Sequence, residues 1–154
     1  MLHIKLILFG KLKETHWKQA ANEYEKRLGA YCKLETIELA PAPLPENPNE
    51  AQIARALLLE ANAAQQTIKG TCAALCVEGQ RMSSVALGDW LERQSGTVSF
   101  LVGSSYGLDE SLKARADLRL SMSDMTFPHQ LIRVMLLEQL YRALNLNYGG
   151  KYHK

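Results

Sequence analysis

The side chains best suited to chemistry gather late in the 154-residue sequence. Lys151, Tyr152, His153 and Lys154 stand together there. They offer two ammonium groups, a phenol on a flat apolar ring, and an imidazole that titrates near neutrality. Upstream, His129 and Arg133 are four residues apart and so share a face if the segment is helical. Arg142 follows on the same segment. Residues 111–154 carry seven Lys/Arg against three Asp/Glu, a net +4 in a chain whose total is only +2. This points to an anionic partner near these residues, although a solvated basic face gives the same count.

Two loops offer a second kind of chemistry. Gly103-Ser104-Ser105-Tyr106-Gly107 follows an apolar run, and its glycines let backbone approach a ligand. It is neither the dinucleotide fingerprint nor a P-loop, which argues against a dinucleotide or triphosphate cradle. A tight strand-to-helix turn is the plainer reading. Ser121-Met122-Ser123-Asp124-Met125-Thr126-Phe127 mixes backbone-bonding polar groups with soft apolar surface. A small amphipathic cofactor needs that mixture, although methionines packed inward would look the same. The three cysteines, Cys32, Cys72 and Cys76, form no disulfide framework. Cys72 and Cys76 lack the partners of a zinc set, so no metal is expected and buried thiols in a central strand are.

These groups need a scaffold, and strand and helix patterns alternate along the whole chain. HIKLILFGK alternates and stops at Gly10, the pattern of a strand. Trp17, Ala21, Tyr24 and Leu28 recur at helical spacing before Gly29. CKLETIELAP reads as a second strand, and PAPLPENPNE, with four prolines in ten residues, as a stiff irregular loop. A helix from Glu50, a buried strand TCAALCVEG, a serine-capped helix, a strand TVSFLVG, a short helix LDESLKARA and a strand DLRLSMSDM follow. The last helix starts near Pro128 and is apolar all round, so one side needs a cover beyond its own sheet. A second copy of the chain is the economical cover. The expectation is one three-layer α/β domain, residues 1–154, with a mostly parallel sheet. Its ligand should sit beyond the strands' carboxyl ends, at CVEGQRM, GSSYG and SMSDMTF. No membrane span or export signal is apparent, which leads to an expected cytoplasmic location.

Three segments carry a family resemblance. LVGSSYGL, then LRLSMSDMTFPHQLIRVMLLEQLYRALNL, then KYHK resemble the bacterial ribosomal RNA large-subunit methyltransferase H family of the SPOUT superfamily. LCVEGQRMSS and the order of elements fit as well, so the likeness covers the whole length. MTFPHQLIRV with LLEQLYRA is its most selective part.

The resemblance implies an S-adenosylmethionine-dependent enzyme that methylates N3 of a pseudouridine in 23S rRNA. It further implies a trefoil knot, which periodicity does not reveal, and a homodimer in which two subunits complete each site. Carried over position by position, the cofactor residues are Leu75, Gly103, Met122, Ser123, Asp124, Met125, Thr126 and Phe127. His153, Tyr152 and Arg133 become the catalytic candidates. His129, Arg142, Lys151 and Lys154 become candidates for holding the RNA, probing phosphates while Tyr152 stacks on a base. A flexible tail that orders only on RNA would bring these groups together. The family pattern has Asp where this chain has Cys76 and Gly where it has Ser104. Cys76 thus removes a carboxylate beside the pocket, and Ser104 would be strained if its backbone were left-handed. Two other readings stay open on the residues alone. One is a flavodoxin-like or dehydrogenase module, disfavoured by the missing phosphate fingerprint. The other is a ribosome-binding protein that keeps the fold without the reaction.

Overall fold

The computed structural model describes residues 1–154. In β1 (Leu2–Phe9) every residue from Ile4 onward is buried, as in a strand covered on both faces. Successive side chains point to opposite sides, and the two cores follow from this. Ile4, Leu6 and Leu8 join one core, while Ile7 and Phe9 join the other. α1 (Thr15–Leu28), β2 (Cys32–Leu39), α2 (Glu50–Gln65) and β3 (Thr71–Arg81) come next. Then follow α3 (Ser84–Glu92), β4 (Thr97–Leu101), α4 (Glu110–Arg115), β5 (Leu118–Ser121) and α5 (His129–Asn147). The five strands form one sheet in the order β2-β1-β4-β3-β5, and every pairing is parallel.

The first core lies between the sheet and α1, α3 and α5, through Leu28, Leu91, Leu136, Leu137 and Leu140. The second lies under α2 and α4, through Ala61, Ala64 and Leu112. The expected three-layer α/β architecture is therefore present. Local sequence sets the helix starts. Asn49 and Gln52 form a reciprocal capping box at α2. Ser83 caps α3 and Asp109 caps α4.

Two boundaries differ from the sequence reading. CVEGQRM, expected as a loop after the third strand, belongs mostly to β3, which runs on to Arg81. Leu120 of β5 pairs with both Leu75 and Gln80, so Cys76 to Gly79 bulge out of the ladder. Hydrophobicity alone cannot separate a bulged strand from a strand that ends. DLRLSMSDM is strand only to Ser121; beyond it the backbone leaves the sheet and forms the next loop. α5 also divides its apolar residues unevenly. Leu136, Leu137, Leu140 and Ala143 are wholly buried within the chain, whereas Leu131, Val134 and Met135 are half-exposed. No helix is long and apolar enough to cross a membrane.

Candidate functional site

Beyond the carboxyl ends of β3, β4 and β5 three chain segments enclose a cleft of about 320 Å³. The bulge of β3 supplies Leu75, Cys76, Val77 and Glu78. The loop after β4 supplies residues 102–108, and the loop after β5 supplies Met122, Ser123, Met125, Thr126 and Phe127. His129 and Ile132, at the start of α5, close one side, and Lys113 of α4 another. The lining is mainly apolar with a few polar groups, at a size suited to a small cofactor. Val77, Tyr106 and Met125 stand exposed around the mouth.

Glycine is needed at 103 for a reason internal to the loop. A Cβ there would lie 2.5 Å from the Gly107 backbone carbon. The turn is closed by the Gly107 N–H donating to the Ser104 carbonyl at 2.9 Å. Gly103 thus lets the loop fold onto itself, and not only approach a ligand. Ser104 is unstrained: no residue other than glycine has a positive φ. Its hydroxyl donates to Glu60 Oε1 at 2.8 Å, and Glu60 Oε2 accepts from the Ala42 N–H at 3.0 Å. Glu60 is buried on α2 and ties the loop after β4 to the proline-rich loop. The sequence reading missed it, because an acid in a helical pattern looks solvated.

The cleft gathers seven of the eight expected cofactor positions: Leu75, Gly103, Met122, Ser123, Met125, Thr126 and Phe127. Asp124 stands apart, exposed and paired with Arg81 at 2.7 Å. Cys76 lines the cleft half-buried, and burial raises its thiol pKa, with Glu78 beside it adding to the effect. Cys72 is buried in β3 and Cys32 at the start of β2, both pushed to about 11 by burial. No group of His, Cys, Asp or Glu is placed to hold a metal.

The remaining candidates lie elsewhere. Arg133 is buried and donates to Glu38 Oε2 of β2 at 2.7 Å; it does not line the cleft, but it lines a small adjoining hollow with Val102, Gly103 and His129. The last residues are also not loose. Gly149 takes a left-handed φ of 76° at the end of α5. Gly150 then packs where a Cβ would fall 2.2 Å from Asn145 Oδ1. This return carries Tyr152 back along α5. Its N–H donates to Asn145 Oδ1 at 3.2 Å, and its ring meets the Tyr141 ring edge-on, 4.8 Å between centroids. Arg142 lies over that ring at 4.6 Å, is anchored by Glu138, and is 3.2 Å from His153 Nδ1. Burial and the neighbouring Tyr24 hydroxyl push the Tyr152 phenol upward. The expectation of a free tail is corrected here: aromatic packing and the buried Asn145 hold it. Lys151 and Lys154 remain exposed.

Residues 2–153 match the family model described as predicted SPOUT methyltransferase. The chain belongs to the SPOUT methyltransferase family. Within that family it is 42% identical over 159 aligned positions to the ribosomal RNA large subunit methyltransferase H of Acetivibrio thermocellus. That alignment covers 99% of this chain and 100% of the relative. A probable methylase family protein from Haemophilus influenzae Rd KW20 shares the fold at a TM-score of 0.61 and 10% identity. The match covers 98% of this chain and 70% of that one. As a SPOUT member the chain is an enzyme of methyl transfer.

Proposed function

We propose that this SPOUT enzyme uses S-adenosylmethionine to methylate N3 of a pseudouridine in 23S rRNA. The observation that carries the reading is the full-length match to a large-subunit rRNA methyltransferase, in a chain whose cleft is lined by seven of the eight positions that the resemblance assigns to the cofactor. Family membership also implies the trefoil knot, and a protein acting on ribosomes in the cytoplasm.

The residues present fit the cofactor. Leu75, Met122 and Phe127 would hold an adenine ring among apolar groups, and loop backbone at 103–107 and 122–127 would meet its polar edges. Bound there, the cofactor supplies an electrophilic methyl group, and the protein supplies orientation. Asp124 takes part only as a surface partner of Arg81.

In one chain the tail cannot serve its own cleft. Arg142, beside Tyr152 and His153, is 13 residues along α5 from His129 at the cleft. That is roughly 20 Å at 1.5 Å per residue. Two copies with α5 antiparallel would set each tail beside the other copy's cleft. Half-exposed Leu131, Val134 and Met135 give that arrangement an apolar contact. Lys151, Lys154 and Arg142 would hold RNA phosphates, with His129 at the cleft edge.

The docked tail also specifies what His153 can do. Arg142 can only donate, so His153 Nδ1 accepts and the ring proton sits on Nε2. His153 Nε2–H would then be a donor to a uracil carbonyl and help to orient the base.

The test is methyl transfer from labelled S-adenosylmethionine to naked 23S rRNA and to assembled 70S particles, with the modified base mapped. Labelling of one pseudouridine at N3 is expected. Binding of the cofactor with no transfer to either substrate would leave a ribosome-binding protein and end this reading.

A further inference from the structure

The cleft is mostly uncharged, yet an ion pair crosses its rim. Lys113 of α4 and Glu78 of the β3 bulge both line it, and the Lys113 ammonium contacts Glu78 Oε1. Lys113 also reaches Glu110 Oε1 at 3.4 Å, and its side chain is only 15% exposed. The Glu78 hydrogen bond from Lys113 lowers the Glu78 pKa, so the carboxylate is ionised throughout the neutral range. Burial alone would pull Lys113 down, but the bonds and charges of Glu78 and Glu110 outweigh it and the net shift is upward.

A lysine ammonium has three N–H donors. Glu78 and Glu110 accept from two, which leaves one for the cleft. Glu78 likewise retains acceptor sites beyond the one Lys113 uses. An open donor and an open acceptor of opposite charge, side by side at the edge of an apolar cleft, form a receptor for a zwitterion. The α-amino-acid end of S-adenosylmethionine is such a group, and no other charged pair lines this cleft.

We infer that Lys113 and Glu78 form the amino-acid subsite of the cofactor cleft, Lys113 receiving the α-carboxylate and Glu78 the α-ammonium. The inference rests on the cofactor reading above. It assigns the charged end of the ligand to α4 and to the β3 segment that also carries Leu75. It also gives the bulge a purpose, since Glu78 lies in the segment between Leu75 and Gln80 that leaves the ladder.

The experiment compares two probes by calorimetry. S-adenosylhomocysteine carries the amino-acid end, whereas 5′-methylthioadenosine has the same nucleoside and lacks it. Lys113→Met should weaken S-adenosylhomocysteine about tenfold, the order expected for one charge-assisted hydrogen bond. Its affinity for 5′-methylthioadenosine should change less than about twofold, well within one such bond. Glu78→Gln, which keeps the size and drops the charge, should repeat the pattern. In the unaltered protein, added salt should weaken S-adenosylhomocysteine and spare 5′-methylthioadenosine. Equal weakening of both probes in the variants, or equal salt sensitivity, overturns the subsite, because a purely structural ion pair affects both alike. If Lys113→Met does not fold, Glu78→Gln and the salt series decide. Failure of the unaltered protein to bind either probe counts instead against the cofactor reading.

Discussion

Single side chains explain how the cleft keeps its shape. The Glu60 carboxylate holds the Ser104 hydroxyl and the Ala42 N–H from a buried position. Glu60→Ala leaves the Ala42 N–H without its partner and should cost about 1–3 kcal/mol in denaturant unfolding. Ser104→Ala removes only the loop's share. It should lower cofactor affinity severalfold with little loss of stability, and it should add nothing in the Glu60→Ala background. Additive effects on cofactor binding would show that the two groups act separately. Tyr152 gives a pH signature. Its phenol is raised from 10.0 to about 12, chiefly by burial and by Tyr24. A folded pKa above the unfolded one adds stability that is full below pH 10 and is lost as pH rises through about 12. Absorbance titration near 295 nm should therefore resolve one late phenol, absent in Tyr152→Phe. A normal midpoint would mean that the tail is undocked in solution.

At the level of elements, α5 binds the molecule together. Its first turns lie against the cleft, and Arg133 joins it to β2 through Glu38. Only Arg133 is buried in this pair; Glu38 stays in contact with water. Arg133→Ala should thus cost about 1 kcal/mol in unfolding measurements, the order of a solvent-screened pair. Its cofactor affinity should stay within a few-fold of the unaltered protein, since Arg133 does not line the cleft. A full loss of affinity at unchanged stability would return Arg133 to the active site. The far end of α5 carries the tail. Deleting residues 151–154 removes the Tyr152–Tyr141 contact and the bond to Asn145. This should cost about 1 kcal/mol, roughly 2–4 °C in Tm by calorimetry. Cofactor affinity should hold, because the tail does not line the cleft of its own chain. Methyl transfer to rRNA should collapse; transfer at the full rate would remove the tail from the site.

Across the whole molecule, the half-exposed strip of Leu131, Val134 and Met135 sets the expected assembly. Sedimentation should give twice the 17.2 kDa chain mass at micromolar concentration. Met135→Glu should shift the protein to monomer while leaving a cooperative unfolding transition. Leu137 is wholly buried in its own chain, so a charge there would test folding and not assembly. A clean monomer for the unaltered protein would remove the two-copy site.

Much of this molecule was legible before any coordinates. Strand and helix periods are short-range, so HIKLILFG, the Trp17-to-Leu28 spacing and the Ser83 cap each specify their own element. Alternation of those elements leads to a parallel sheet, and a parallel sheet places ligands at its carboxyl ends. Seven of the eight positions that the resemblance assigns to a cofactor line one cleft at those ends. What depended on contacts between distant residues was hidden. A bulge in β3 is set by pairing with β5, forty-odd positions away. Glu60 acquires its bonds because the chain brings Ser104 and Ala42 to it. Arg133 looked free and is held by Glu38, 95 positions apart. The tail looked frayed and is held by Asn145 and Tyr141. Local sequence determines which backbone form each segment takes, because propensity, capping and period act over a few residues. Which charges are paired, and which are left for a ligand, is decided only when tertiary packing removes water from one partner and brings the other within bonding distance.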